Sequence, residues 1–469
     1  MEVLDLRHAQ LRLAELDRER SLLARQISAL QAAKGGPDIG TADGRVALFY
    51  SLFRGRRDMF ATRWESTKTA GRSGWSPRCG NEWQPGLCFK PKVKGAGCAN
   101  RRFVALTPTE IRSHLEGRQT VGIYPLLPDE TCWLVAIDLD GADWRDDVGA
   151  LRESAEDLAI PVLVERSRSG EGAHVWVLFA QPVAAHVARS VGSLLLTRAM
   201  SRRTISMSSY DRLFPNQDTM PAGGFGNLIA LPLQHARRRD GCTVFLGPDL
   251  EPIADQWAYL AGIERLPAMR GREIAVEVEQ LGGALGMRSL QDTGTRAPSR
   301  GLTMTERQIE VTLRGRIQLP TSSVPPALRD RLCRTAAFAN PTFYERERAR
   351  LSTHKTPRVI ACHEQFGESL LLPRGCLARV IDELEAAGVS PKLTDTRSDG
   401  NAITASFCGT LSPAQQAAVN ALAKHEIGVL VAPPGAGKTV MATALIASQR
   451  DRRSCSSTAA RYSSNGWQG

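Results

Sequence analysis

The run Cys132-Trp-Leu-Val-Ala-Ile-Asp138-Leu-Asp140 decides how this chain is read. An apolar stretch this short, ending on charge, reads as a buried strand that reaches a surface. Side chains two apart on a strand point to the same face, so Asp138 and Asp140 stand side by side at its end. Two carboxylates that close repel unless a cation sits between them. Mg²⁺ or Mn²⁺ supplies that charge, and a metal pair orients an incoming triphosphate and a 3′ hydroxyl for in-line displacement. Alone, Asp-x-Asp is more often a strand end meeting solvent, so the neighbouring motifs carry the decision.

Downstream, Ser167-Arg-Ser-Gly-Glu-Gly-Ala-His174 is a Ser/Gly turn running into a second apolar strand, Val175-Trp-Val-Leu-Phe179. Glycine lets a backbone approach phosphates, and Arg168, Ser169, Gly170 and His174 offer donors to triphosphate oxygens. Further on stand Phe214-Pro-Asn-Gln-Asp218, then Gly223-Gly-Phe-Gly-Asn-Leu-Ile-Ala-Leu-Pro232, then the basic cluster Arg237, Arg238 and Arg239. Strand-like runs at 132–138, 161–165, 173–179 and 227–232 alternate with helical stretches at 146–159 and 184–200, the pattern of an α/β or α+β domain.

The chain has 469 residues, enough for two or three domains, with 42% hydrophobic and 23% charged residues. No apolar run is long enough to span a bilayer and the N-terminus is charged from Glu2, so we expect a cytoplasmic protein without membrane contact. The net charge of +11 favours a polyanionic partner. Between Arg54 and Arg102, twelve Lys/Arg face three acids and are interleaved with Phe60, Trp64, Trp75, Trp83 and Phe89. Basic groups neutralise phosphates and aromatic faces stack on unpaired bases, so the mixture suits single-stranded or primed DNA, or RNA. A solvated basic face over core aromatics is the bland alternative.

The order of these motifs resembles the catalytic core of archaeo-eukaryotic primases and primase-polymerases. More closely, Tyr124-Pro-Leu-Leu-Pro-Asp129, Ser167-Arg-Ser-Gly170, Tyr210-Asp-Arg-Leu-Phe-Pro215 and Gly223-Gly-Phe-Gly-Asn-Leu-Ile-Ala-Leu-Pro-Leu-Gln234 are similar to the primase domain of TOTE-type prokaryotic conflict systems. The resemblance implies an α+β fold with an RRM-like catalytic core and template-directed addition of nucleoside triphosphates to a 3′ hydroxyl. It implies that Asp138, Asp140 and Asp218 bind the metals and that His174 contacts the triphosphate. Asp211 is the alternative third ligand. The wider superfamily has a serine two residues before the histidine; Gly172 stands there, with Ser167 or Ser169 as substitutes. Cys79, Cys88 and Cys98 have the look of a structural zinc site short of one ligand, since Gly95 occupies the position of the family's fourth cysteine. An eroded site is the equal alternative.

Beyond the core, Ala432-Pro-Pro-Gly-Ala-Gly-Lys438-Thr439 follows the short apolar run Val429-Leu-Val431 and precedes a helical stretch, the strand–loop–helix context of a phosphate-binding loop. Gly435 and Gly437 free the backbone, Lys438 reaches the outer phosphates of ATP and Thr439 ligates Mg²⁺. The loop resembles that of superfamily-two helicases, and Gln415 the adenine contact of the same superfamily. The expected organisation is an amphipathic, coiled-coil-like helix over 1–35 able to dimerise, a primase-polymerase domain over 45–266 with a Cys-containing insert at 76–102, a linker over 267–300, mixed helices over 301–408, a helicase lobe over 409–452, and a tail over 453–469. That tail lacks an apolar period and reads as frameshifted, which would leave the helicase lobe incomplete. The alternatives to a polymerase are a nucleic-acid-binding module without catalysis and a Mg²⁺-dependent nuclease; a nuclease has no need of a triphosphate turn.

Overall fold

A computed structural model describes residues 37–66, 69, 71–90, 92, 93, 98–280, 308–397 and 406–448. The expected helix over 1–35 and the tail over 453–469 lie outside the described residues. The chain divides into two compact units. The first comprises residues up to 302 together with Val324–Cys362, and the second comprises Thr303–Ser323 and His363 onward.

The first unit is built on two four-stranded sheets. In chain order its elements include helix α1 (Ala42–Leu52), strands β1 (Ala61–Glu65) and β2 (Ser73–Pro77), helix α2 (Pro108–Leu115), β3 (Val121–Ile123), β4 (Thr131–Asp140), α3 (Trp144–Asp157), β5 (Leu163–Arg166), β6 (Gly172–Ala184), α4 (Ala185–Arg202), β7 (Leu213–Phe214) and β8 (Ile229–Ala230). One sheet runs β5-β6-β4-β7 and the other β2-β1-β3-β8, with antiparallel neighbours throughout.

The long central strands β4 and β6 form because their apolar residues are buried on both faces. On one face α4 comes close: a β-carbon on Gly192 would lie 3.2 Å from Val135 and 3.0 Å from Leu213. On the same face as Ala136, its register partner Trp176 meets the ring of Phe53 edge-on at 5.3 Å. The strands and the two long helices thus fall where apolar periodicity placed them, within a few residues.

The expected linker over 267–300 needs correction. It opens with helix α5 (Ala268–Gln280), which buries Ala268, Gly271, Ile274 and Val278. A β-carbon on Gly271 would lie 3.1 Å from Phe179 and 3.4 Å from Val187, so this helix packs on β6 and α4. The rest of the region, 281–300, lies outside the described residues. The expected boundary after the core also moves. Within the first unit, helices α6 (Pro326–Thr335) and α7 (Pro341–Arg348) and a two-stranded ladder, Ala337–Ala339 with Val359–Ala361, join the elements already described.

Within 308–323 and 363–397 the second unit is mainly strand where mixed helices were expected. Strands β9 (Gln308–Leu313), β10 (Ile317–Pro320), β11 (Glu364–Phe366), β12 (Ser369–Leu372) and β13 (Ser390–Asp395) form one sheet in the order β11-β12-β10-β9-β13. Buried Ile309, Val311 and Leu313 alternate with less buried neighbours in β9, a period-two pattern too short to stand out in a charged sequence. Helices α8 (Leu377–Ala386), α9 (Pro413–Ala423) and α10 (Lys438–Ser448) complete it.

Candidate active site

Register assembles the site. Asp138 lies directly opposite His174 and Asp140 opposite Gly172 across β4 and β6, while Glu165 lies opposite His174 across β5 and β6. Opposed residues on adjacent strands share a face, so Asp138, His174 and Glu165 form one row over three strands. Nε2 of His174 is 3.7 Å from Asp138 Oδ1, and its Nδ1 is 3.0 Å from Glu165 Oε2. Trp176 Nε1 donates to the same Glu165 oxygen at 2.9 Å. Glu165, only 1% exposed, thus fixes the ring from behind. Burial opposes a charge on His174, but the Glu165 carboxylate and its hydrogen bond, with Asp138 and Asp140, outweigh it and raise the imidazole above its ordinary range.

Asp138 is held above the usual carboxylate range, by burial first and by Asp140 next, against the pull of His174 and Arg212. The Arg212 guanidinium pairs with Asp140 and stands 3.5 Å from Asp138 Oδ2. The positive charge that two adjacent carboxylates demand was expected from a divalent cation; in this structure the Arg212 guanidinium stands beside both. Two hard oxygen donors fit Mg²⁺ or Mn²⁺, which commonly take one or two carboxylates and complete their shell with substrate phosphates and water.

The expected third ligand is elsewhere. β7 runs antiparallel to β4 with Phe214 opposite Ala136, so residues after 214 travel toward the start of β4, away from Asp138. Asp218 accepts from Arg189 at 2.6 Å, and its amide donates to Glu347 at 2.7 Å. Asp211 is also committed, accepting the Arg358 amide at 2.7 Å. Both acids tie the 341–358 segment to the domain. Among the described residues no group of three His, Cys, Asp or Glu is placed to hold a metal. Cys79, Cys88 and Cys98 form no disulfide among the described residues, and Cys79 Sγ accepts the Arg102 amide at 3.4 Å.

Beside the carboxylates lies the 167–172 turn. Gly170 sits at φ +86°, Ser167 N donates to Gly172 O at 2.9 Å, and the Ser167 and Ser169 hydroxyls are 3.0 Å apart. A β-carbon on Gly172 would lie 2.6 Å from Leu139 O, 2.8 Å from Asp140 Oδ1 and 3.3 Å from Ser167 Oγ. The backbone therefore excludes a serine at 172. The Ser167 hydroxyl occupies the neighbouring space. Arg168 lies 3.3 Å from Glu65; burial lowers its pKa, and the charges of Arg63 and Arg237 lower it further. Arg63 and Arg168 thus share the exposed Glu65 carboxylate at the edge of the turn, while Arg237 pairs with Asp240. Glu165 and Arg212 were missed as site residues because strand register brings them there, and Arg63 because it comes from the other sheet.

In the second unit, Gly435 and Gly437 take φ +83° and +80°, and Lys438 opens α10 with its Nζ at 2.8 Å from Ala432 O and 2.9 Å from Pro433 O. Gln415 is engaged at both ends of its amide: Oε1 accepts from Ser412 N at 2.9 Å and Nε2 donates to Ala436 O at 3.0 Å. Thr439 follows Lys438 in the first turn of the helix. The strand expected before this loop is not formed. Residues 428–431 are irregular, with Val429 and Val431 more than four-fifths exposed.

The first unit is therefore a mixed α/β domain that presents a carboxylate pair, a carboxylate-supported histidine and a Ser/Gly turn on adjoining strands. Residues 44–274 match the family model of the archaeo-eukaryotic primase domain of TOTE conflict systems. Among solved structures, the polymerase domain from Mycobacterium tuberculosis ligase D in complex with DNA is similar over 54% of this chain and 92% of that chain, at 17% identity and a TM-score of 0.26. A likeness that distant transfers no residue roles. No curated protein matches the chain. No helix among the described residues is long and apolar enough to cross a membrane.

Proposed function

We propose that the domain over 44–274 is a nucleotidyltransferase of the primase-polymerase kind, adding nucleotides to a 3′ hydroxyl on a nucleic-acid template. The observation that carries this reading is the row Asp138–His174–Glu165 beside the 167–172 turn. Asp138 and Asp140 would hold Mg²⁺ or Mn²⁺, with Arg212 swinging aside. A bound divalent cation would neutralise charge on the triphosphate and favour the 3′ oxygen as a nucleophile. The chain's own groups do the positioning. His174, its Nδ1 held by Glu165, donates from Nε2 to a phosphate oxygen in its protonated form, which Glu165 favours. Arg168, Arg63 and Arg237 draw the triphosphate to the turn, where Ser167, Ser169 and the Gly170 backbone offer short-range donors. In the second unit, the loop around Lys438 and Thr439 is read as an ATP-binding site.

A primer-extension assay with labelled nucleotides in Mg²⁺ or Mn²⁺ tests the reading. Extension is expected from the intact chain and should be abolished by Asp138→Asn or Asp140→Asn, with DNA binding retained. Full extension by either variant would remove that acid from the site. A binding module without catalysis is the second reading, favoured by Arg212, whose guanidinium already satisfies the carboxylates. It predicts strand binding with no incorporation under any metal.

A further inference from the structure

Away from the carboxylate centre, the first unit carries an open cavity of about 750 Å³ between the end of α1 and the start of β4. Its wall holds Arg54, Arg56 and Arg57, with Tyr50 and Trp133. The Arg54 guanidinium covers the Trp133 ring at 4.0 Å and Arg57 covers Tyr50 at 3.3 Å. Trp133 falls where the β4–β6 register breaks, between Cys132 and Leu134. Such an interruption frees a side chain from the regular alternation of the strand.

The charge in this wall is not balanced locally. Asp58 is committed to Arg56 at 3.0 Å, and Asp129 accepts the amide and hydroxyl of Thr131 at 3.1 and 2.8 Å. Among the described residues, Arg54 and Arg57 have no carboxylate partner; their recorded hydrogen bonds go to the Ser51 and Tyr50 carbonyls. Burial and the nearby Arg54 lower the pKa of Arg57, and burial first, then Arg54, lower that of Arg265. Three guanidiniums and two carboxylates, one net positive charge, are gathered here with aromatic faces around open space.

We propose that this cavity is a second binding site, holding the phosphodiester backbone and an unpaired base of a single nucleic-acid strand. Arg54 and Arg57 would take the phosphates while Trp133 or Tyr50 offers a stacking face. The choice of a strand as ligand rests on the polymerase reading above; the cavity and its charge do not. Trp133 and Asp138 are five residues apart on β4, roughly 17 Å at strand rise, so one strand several nucleotides long could reach both places.

The test is direct binding of a fluorescent single-stranded oligonucleotide in EDTA, over a series of salt concentrations. For Arg54→Gln/Arg57→Gln, affinity should fall about tenfold or more, and the salt slope should shrink by about 1.4, since each lost phosphate contact on a single strand removes about 0.7. Trp133→Leu should weaken binding about tenfold without changing the slope, as stacking of one base contributes on the order of 1–3 kcal/mol. Ultraviolet cross-linking of a bromouracil-substituted strand to the unaltered chain, which needs no variant to fold, should label Trp133 or Tyr50. Unchanged affinity and slope in the folded arginine variant, or cross-links confined to other segments, would overturn the site. So would equal competition by a free nucleoside monophosphate. If the chain never extends a primer yet the arginine variant loses strand binding, the polymerase reading fails and this site stands.

Discussion

At the scale of single residues, buried polar groups in this domain are used with a definite sense of charge. His114, fully buried, donates from Nε2 to Pro232 O at 2.8 Å and accepts the Val121 amide on Nδ1 at 3.1 Å. A second proton would face a donor, and burial pushes its pKa down from 6.5 to about 4. The unfolded chain binds that proton below about 6.5 and the folded chain does not. Its contribution to stability is therefore constant above pH 6.5 and lost as pH falls toward 4, by at most about 3 kcal/mol. Urea titrations across that window should show the loss, and His114→Gln should flatten it; an equal slope in the variant would refute the assignment. Asp218 has a different use. Asp218→Asn leaves Arg189, 7% exposed, short of a charged partner, and should cost about 1–3 kcal/mol of stability while extension by the folded fraction survives. Loss of extension with unchanged melting would return Asp218 to the metal site.

Among elements, the β4–β6 ladder sets the spacing of the site. Gly172 lets β6 start against the end of β4, and a methyl group there meets a backbone oxygen that cannot move without opening the ladder. We expect Gly172→Ala to cost about 1–3 kcal/mol and to reduce extension further than the unfolded fraction explains, because the strain falls on Asp140. Thermal melts and extension rates measured together check this; a neutral melt would show that the ladder yields. The Asp-x-Asp strand, the Ser/Gly turn and the two long helices were legible because each is a local pattern: an apolar run, a glycine cluster, a helical period. Glu165 was not, because a carboxylate at the end of a strand looks the same whether it meets solvent or the histidine of the next strand.

For the whole molecule, the two proposed nucleotide sites fall in separate units. Lys438 belongs to the second unit and pairs its ammonium with carbonyls of its own loop. Lys438→Ala should abolish ATP binding there, read by fluorescent ATP analogue titration, and leave primer extension in the first unit unchanged. A parallel loss of extension would show that the units share a site. The amino-acid sequence by itself determined the existence of the carboxylate pair, the histidine and the two glycine-rich turns, since each depends on residues close together in the chain. Tertiary structure alone decided which partners they have. Antiparallel register carried Asp218 away from Asp138, brought Glu165 to His174 and placed Arg212 between the carboxylates, and register is fixed by pairing between segments that local sequence does not record.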